Sequence, residues 1–105
     1  MHRLLVLYPE PHDRNAFIEY YTNTHLPLAA QLPGIIRWDY AVDISEEHSD
    51  ETPYFAVFEA DFDDQNAFRA AMSSPEGLAV SDDVPNYATG GATVVDFTLS
   101  GGSRS

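Results

Sequence analysis

At 105 residues, 44% of them hydrophobic and with six Phe, six Tyr and one Trp, the chain is long enough for one packed core and too short for two. Seventeen acidic residues against five arginines and no lysine leave a net charge of −12, which argues against nucleic acid or an anionic membrane as partner, since both need clustered cations, and reads as a solubility device. With no cysteine, disulfides, thiolate metal sites and thiol nucleophiles are excluded, and no apolar run approaches the roughly 20 residues of a membrane span.

The first element is a strand over about 3–8, where Leu4-Leu5-Val6-Leu7-Tyr8 is apolar on both faces until Pro9 ends it. This start lacks a small-residue cleavage site, so it reads as a strand and not a signal peptide, and a cytoplasmic protein is expected. Beyond the Pro9-Glu10-Pro11 turn a helix begins at about Asp13, with Ala16, Phe17, Tyr20, Tyr21, Thr24 and Leu28 at helical spacing. Pro27 removes an amide donor and disfavours helical geometry at Leu26, which predicts a kink or break beside His25. A short further turn ends at Pro33-Gly34. A strand from Ile35 to about Ile44 and an acidic loop over 45–53 follow. The second half repeats the plan: a strand from Tyr54 to Phe62, a helix from Asp63 or Asp64 to about Ser73, a short helical turn at 74–77, a loop from Asp82 to Gly91, and a last strand from Ala92 to Leu99. Residues 1–99 are expected to form one domain, with 100–105 as a flexible tail.

The two halves share a short repeat. Asp13-Arg14-Asn15-Ala16-Phe17 returns 51 positions later as Asp64-Gln65-Asn66-Ala67-Phe68, each time after an extended apolar run and with an Asp suited to capping a helix. The chain therefore reads as two βαβ halves, an α+β protein in the order βαββαβ. Alternation places Ile36, Trp38, Tyr40, Val42, then Tyr54, Ala56, Phe58, Ala60, Phe62, then Val95, Phe97, Leu99 beneath two helices. The other face carries Ile35, Arg37, Asp39, Ala41, Phe55, Val57, Glu59, Asp61, Val94 and Asp96, mixed but too apolar in places for water. Two helices cover one face of a four-stranded sheet, so the second face predicts a second copy of the chain, a homodimer with a two-fold axis between the sheets.

Tyr8-Pro9, Phe17, Tyr20-Tyr21, His25-Leu26-Pro27-Leu28-Ala29 and Leu32-Pro33-Gly34 together resemble the EthD-like family of the dimeric α+β barrel superfamily, named for a protein of ethyl tert-butyl ether degradation. The resemblance extends over nearly the whole chain up to Leu99. It implies a ferredoxin-like monomer with a four-stranded antiparallel sheet, a homodimer, and a pocket between helices and sheet. Superfamily relatives include muconolactone-type isomerases, cofactor-free polyketide monooxygenases and haem-degrading enzymes, so the resemblance implies no one reaction.

Among four histidines His25 alone has an aromatic and aliphatic context; His2, His12 and His48 lie at the chain start or in polar, turn-like surroundings. In the implied pocket His25 would be a general acid or base toward a small carbonyl or enol compound. As a structural residue it would instead bond a free carbonyl at the helix break. The helix C-terminus favours its cation and burial favours the neutral ring. Trp38, Tyr40, Phe58 and Phe97 are candidate pocket walls or ordinary core, with Ala56, Ala60, Ala70 and Ala71 leaving room beside them. Tyr8, Tyr21 and Tyr87 are candidates to orient a ligand through their hydroxyls. Arg37, Asp39, Glu59 and Asp61 read as an interface or barrel-interior ion pair rather than a cation site, and the acidic run at 46–51 as a solvated loop. No metal-ligand spacing and no nicotinamide or flavin fingerprint is present, so no metal or cofactor is expected. The expected function is binding or converting a small hydrophobic or aromatic metabolite, by cofactor-independent isomerisation or oxygenation through His25. The alternatives are a non-catalytic carrier or accessory protein and, further off, a haem binder with His25 as axial ligand.

Overall fold

The most apolar strand, β1 (His2–Tyr8), lies inside the sheet, hydrogen-bonded on one side to β3 (Ala56–Phe62) and on the other to β4 (Thr93–Thr98), with β2 (Arg37–Val42) outside β3. Every pairing is antiparallel, giving the order β2-β3-β1-β4. In this computed structural model residues 1–44 and 53–103 are described; the acidic run at 46–51, His48 included, lies outside the described residues. Helices α1 (Arg14–Tyr20), α2 (Leu26–Ala29), α3 (Gln65–Ser73) and α4 (Pro75–Asp83) follow the strands in the βαββαβ arrangement of a ferredoxin-like fold.

The repeat marks both helix starts. Asp13 Oδ1 accepts from the Ala16 amide at 3.1 Å, and Asp64 Oδ1 accepts from the Ala67 amide at 2.8 Å, so each Asp satisfies a donor that the first helical turn leaves free. Phe17, the last residue of the first repeat, is buried against Tyr8, Tyr21, Phe55 and Tyr87. Phe68, its counterpart, packs on Phe62 and His2.

The expected disturbance beside His25 is a π-helical turn over Tyr21–His25 joining α1 to α2. Its widened loop is closed by the Leu26 amide donating to the Tyr21 carbonyl, five residues back. The cause is local. Proline at 27 has no N–H to give, and its ring would meet the carbonyl four residues earlier in a regular helix; one extra residue in the turn relieves both. Tyr21 and His25 both end up on the buried side.

The second helical segment is longer than expected. Instead of a short turn at 74–77, α4 spans nine residues, capped by Ser74 Oγ accepting from the Gly77 amide at 3.1 Å and led by Pro75, and a 3-10 turn (Val84–Asn86) continues it. Gly77 lets α4 close on α3: a Cβ there would stand 2.3 Å from the Ala71 carbonyl oxygen.

Along β1 the side chains of His2, Leu4, Val6 and Tyr8 are buried beneath the helices, and register places Ala56, Phe58, Ala60 and Phe62 beside them, with Trp38, Tyr40 and Val42 further out. Two expectations are corrected. In β4 the parity is reversed: Val94 and Asp96 lie opposite Val6 and Leu4 on the helix side, while Val95 and Phe97 lie opposite Leu5 and Arg3 on the open side. Alternation could not choose, because Thr93-Val94-Val95-Asp96-Phe97-Thr98 has apolar residues at both parities. The polar partners choose: His2 is buried, with Nε2 2.7 Å from Asp96 Oδ2 and Nδ1 3.0 Å from Thr98 Oγ1. His2, at the start of the chain, is thus a second enclosed histidine beside His25. At the strand entrances the alternation also lapses, since β2 begins at Arg37 and β3 at Ala56. Ile36 is exposed while Ile35 packs on the core, and Phe55 is buried against Phe17.

On the open side Asp61 is buried between two guanidinium groups, accepting from Arg3 Nε at 2.8 Å and from Arg37 Nε at 2.9 Å. Arg37 also reaches Asp39 and, at 3.4 Å, Glu59.

Candidate functional site

Where α2, α3 and α4 cross the sheet they leave a cavity of about 80 Å³. Leu4, Val6, Tyr8, Phe58 and Val94 form its floor; His25, Ala29 and Leu32 line one wall, and Met72, Val80, Ser81 and Val84 the other. A dry cavity of roughly 150 Å³ accepts benzene, so this one suits a more compact ligand unless the helices part.

His25 is 3% exposed and Asp83, at the end of α4, 8%. His25 Nδ1 lies 2.9 Å from Asp83 Oδ2. The other carboxylate oxygen accepts from the Tyr20 hydroxyl at 2.6 Å and from Asn86 Nδ2 at 3.0 Å. Burial works to raise the Asp83 carboxyl, but the hydrogen bonds from Tyr20, Asn86 and His25 outweigh it and hold the group below the usual carboxylate range. Burial lowers the His25 imidazole and prevails over the pull of Asp83, so the ring is neutral at pH 7. An anionic carboxylate beside a neutral ring needs the proton on Nδ1, which donates to Asp83. The lone pair therefore sits on Nε2, which no described residue engages. The ring is held by a carboxylate and not by the free backbone carbonyl of the structural alternative.

Aromatic side chains enclose the pair. Tyr21 stacks on His25 with ring centroids 5.5 Å apart, and Tyr87 lies 4.5 Å from it. The Tyr8 and Tyr87 hydroxyls are 2.6 Å apart. Burial raises the pKa of Tyr8, Tyr21 and Tyr87, so all three remain protonated donors.

Of the candidates singled out by sequence, the fold brings His25, Tyr8 and Phe58 to the cavity, with Tyr21 immediately behind His25. Trp38 and Tyr40 share the helix-facing side of the sheet but stand on edge strand β2, stacked in a row with Phe58 and with Tyr40 still 42% exposed. Phe97 is excluded from the cavity because it projects from the opposite face. The partners Asp83, Tyr20 and Asn86 were not among the candidates. A signal for the first existed: Ser74-Pro75-Glu76 is a helix-start pattern, and a helix continued from it carries Asp83 into reach.

An antiparallel βαββαβ sheet with its helices over a cavity, and a buried histidine–carboxylate pair on the wall, defines an α+β protein of the ferredoxin-like fold. The chain belongs to the EthD domain family, which matches residues 9–91. It is 33% identical over 95 residues, 90% of this chain and 91% of the relative, to an uncharacterized 11.0 kDa protein of the thcB-thcC intergenic region in Rhodococcus erythropolis. Among solved structures it is similar to an EthD family protein of Bacillus halodurans, with 29% identity, a TM-score of 0.87 and coverage of 94% of this chain and 98% of that one. It also shares its fold with a dimeric ferredoxin-like protein of unknown function from Thermobifida fusca, at 19% identity and a TM-score of 0.71 over 93% and 90% of the two chains.

Proposed function

We propose that the protein binds a small hydrophobic metabolite in the cavity between sheet and helices and moves a proton on it, with His25 Nε2 as the base and no cofactor. One observation carries this reading: an imidazole fixed by Asp83 in the tautomer that leaves Nε2 basic, on the wall of an otherwise mainly apolar cavity. A base so placed contributes on the order of 10²–10⁴ in rate, enough for an isomerisation or for deprotonating a compound that then reacts with oxygen. Membership of the EthD family is compatible with this and decides no substrate.

The working unit we infer is a homodimer formed through the open sheet face. Val95 and Phe97 are 41% and 40% exposed there, Leu5 and Leu7 are half-buried beside them, and Asp61 is enclosed by two arginines on the same face. A related fold, the Thermobifida fusca protein, is described as dimeric.

Native mass spectrometry of protein taken from its host reports both stoichiometry and any retained metabolite. With that metabolite as substrate, His25→Gln should abolish conversion and leave binding within a few-fold. Unchanged turnover in His25→Gln overturns the base assignment; binding without conversion by the wild-type protein makes it a carrier.

A further inference from the structure

We propose that the Tyr8–Tyr87 hydroxyl pair is the hydrogen-bond donor for the carbonyl oxygen of a compact, uncharged ketone or aldehyde, while His25 Nε2 takes the proton from the adjoining carbon. This rests on the base assignment above and adds the oxygen-binding group and the substrate class.

Two phenolic hydroxyls 2.6 Å apart share one hydrogen bond, which uses one of their two hydrogens. The hydroxyl that accepts keeps its own hydrogen, and the Tyr21 hydroxyl is near enough to that of Tyr8 to interact with it. Tyr21, its ring 5.6 Å from Tyr8 and 5.3 Å from Tyr87, brings a third hydrogen, so two contacts among three hydroxyls leave one hydrogen over. The buried Tyr21 oxygen has no partner at full hydrogen-bond geometry among the described residues. Buried hydroxyls left this way are costly, and a ligand oxygen is what would satisfy them. Burial keeps the group protonated, so it donates rather than titrates.

Tyr8 lines the same cavity as His25, while Tyr87 stands behind the lining with its ring 4.5 Å from the imidazole and its hydroxyl on that of Tyr8. The donor therefore reaches a bound molecule through Tyr8, on the same cavity as the base. The remaining lining is Leu, Val, Ala, Phe and Met apart from Ser81 at the rim, with no arginine among the lining residues. A carboxylate or phosphate would give up its water there without gaining a counter-charge, so the ligand is neutral. At about 80 Å³ the space holds a molecule smaller than a benzene ring.

The step balances without an added reagent. Nε2 takes the proton from the carbon next to the carbonyl. The C–H electron pair becomes the carbon–carbon double bond, and the carbonyl π pair moves onto oxygen, where the tyrosine hydrogen bond meets the new charge. The imidazolium, supported by Asp83, returns the proton to the same carbon, or to a conjugated one, which completes an isomerisation.

Acetone in D2O, followed by loss of its proton NMR signal, tests this with a neutral ketone of four heavy atoms. The wild-type protein should accelerate exchange above buffer, and His25→Gln should return it to the buffer rate. Tyr8→Phe with Tyr87→Phe should lower the His25-dependent rate about 10²- to 10³-fold, with smaller losses in each single variant, where one hydroxyl still donates. Circular dichroism verifies the fold, and if the double variant does not fold the two single variants decide. Wild-type exchange in folded tyrosine variants alongside a silent His25→Gln overturns the tyrosine assignment and leaves the base assignment standing. Wild-type protein no faster than buffer, or an active His25→Gln, overturns both. Acetate competing as well as a second neutral carbonyl compound, acetaldehyde, overturns the substrate class.

Discussion

His25 and Asp83 stand 58 positions apart in the chain and 2.9 Å apart in the fold, joined by a hydrogen bond from Nδ1 to Oδ2. The contact exists because two local events coincide. The π-helical turn brings His25 to the inner side of its helix, and α4 runs far enough past Pro75 to deliver a carboxylate to the same place. Asp83→Asn removes the charge that selects the Nδ1–H tautomer. The expected outcome is a mixture of imidazole tautomers in ¹⁵N NMR and loss of His25-dependent chemistry. Asp83→Ala strands the Tyr20 hydroxyl and the imidazole N–H as well, at about 2–3 kcal/mol of stability in urea denaturation. A single unaltered tautomer in Asp83→Asn would show that something else orients the ring.

The same pair gives stability a particular pH profile. The unfolded imidazole titrates at its ordinary 6.5, and burial lowers the folded one, so on acidification the unfolded chain takes up its proton first. The His25 contribution is therefore complete above pH 6.5 and declines as pH falls from there through the folded value. Asp83, also lowered in the fold, gives a second loss below its ordinary 3.8. His25→Gln should flatten the urea midpoint between about pH 7 and pH 5 relative to wild type and keep the lower step. Superimposable profiles for the two proteins would rule out His25 as the source of the upper step.

Each capping aspartate should be worth a similar amount. Asp13→Ala and Asp64→Ala each free one amide of a first turn, which costs about 1 kcal/mol. The caps start different helices and share no partner, so the double variant should lose close to the sum in urea denaturation. A loss confined to one site would mean that the repeated Asp-x-Asn-Ala-Phe is used in only one half.

Much of the fold was readable because its determinants are local. The two aspartates, the apolar runs of β1 and β3 and the proline after His25 each act within a few residues. What was not readable depends on distant partners. The parity of β4 is chosen by His2 bonding Asp96 and Thr98 across 94 and 96 positions, and no alternation in Val94-Val95 could announce it. Phe97 was misplaced for that reason. Within the candidate site, His25 was recognisable from its apolar neighbours, whereas its carboxylate partner was hidden in a segment expected to be loop. The enclosure of His2 is not legible because position in the chain says little about position in a sheet in which the first strand is one of the two inner ones.

The open face predicts its own disruption. Val95 and Phe97 project from it beside Leu5 and Arg3, and they are already wet in one copy of the chain. Val95→Glu with Phe97→Glu should therefore leave the monomer fold intact by circular dichroism. Opposed across a two-fold interface, the added carboxylates would be desolvated and would repel one another. Sedimentation should find wild type at twice the 11.7 kDa chain mass and the variant at 11.7 kDa. A variant that stays dimeric places the interface elsewhere, and a wild type at 11.7 kDa removes the dimer.

Gly77 connects packing to the site. A methyl group at this position would lie 2.3 Å from the Ala71 carbonyl oxygen and 2.6 Å from the Met72 Cα, both backbone atoms that cannot rotate aside. Alanine is ordinarily the better helix former by about 1 kcal/mol, so an unobstructed site would gain stability from Gly77→Ala. Here α4 has to move off α3, and overpacking of this kind costs about 1–3 kcal/mol, which outweighs the gain. The movement is transmitted because Asp83 ends the same nine-residue helix. Gly77→Ala should lower the urea midpoint and also weaken the Nδ1–H bond of His25, seen as loss of a slowly exchanging imidazole proton in NMR. Lower stability with that proton retained would mean that α4 yields at its first turn alone. A more stable Gly77→Ala protein would show that the two helices are not in the close contact described.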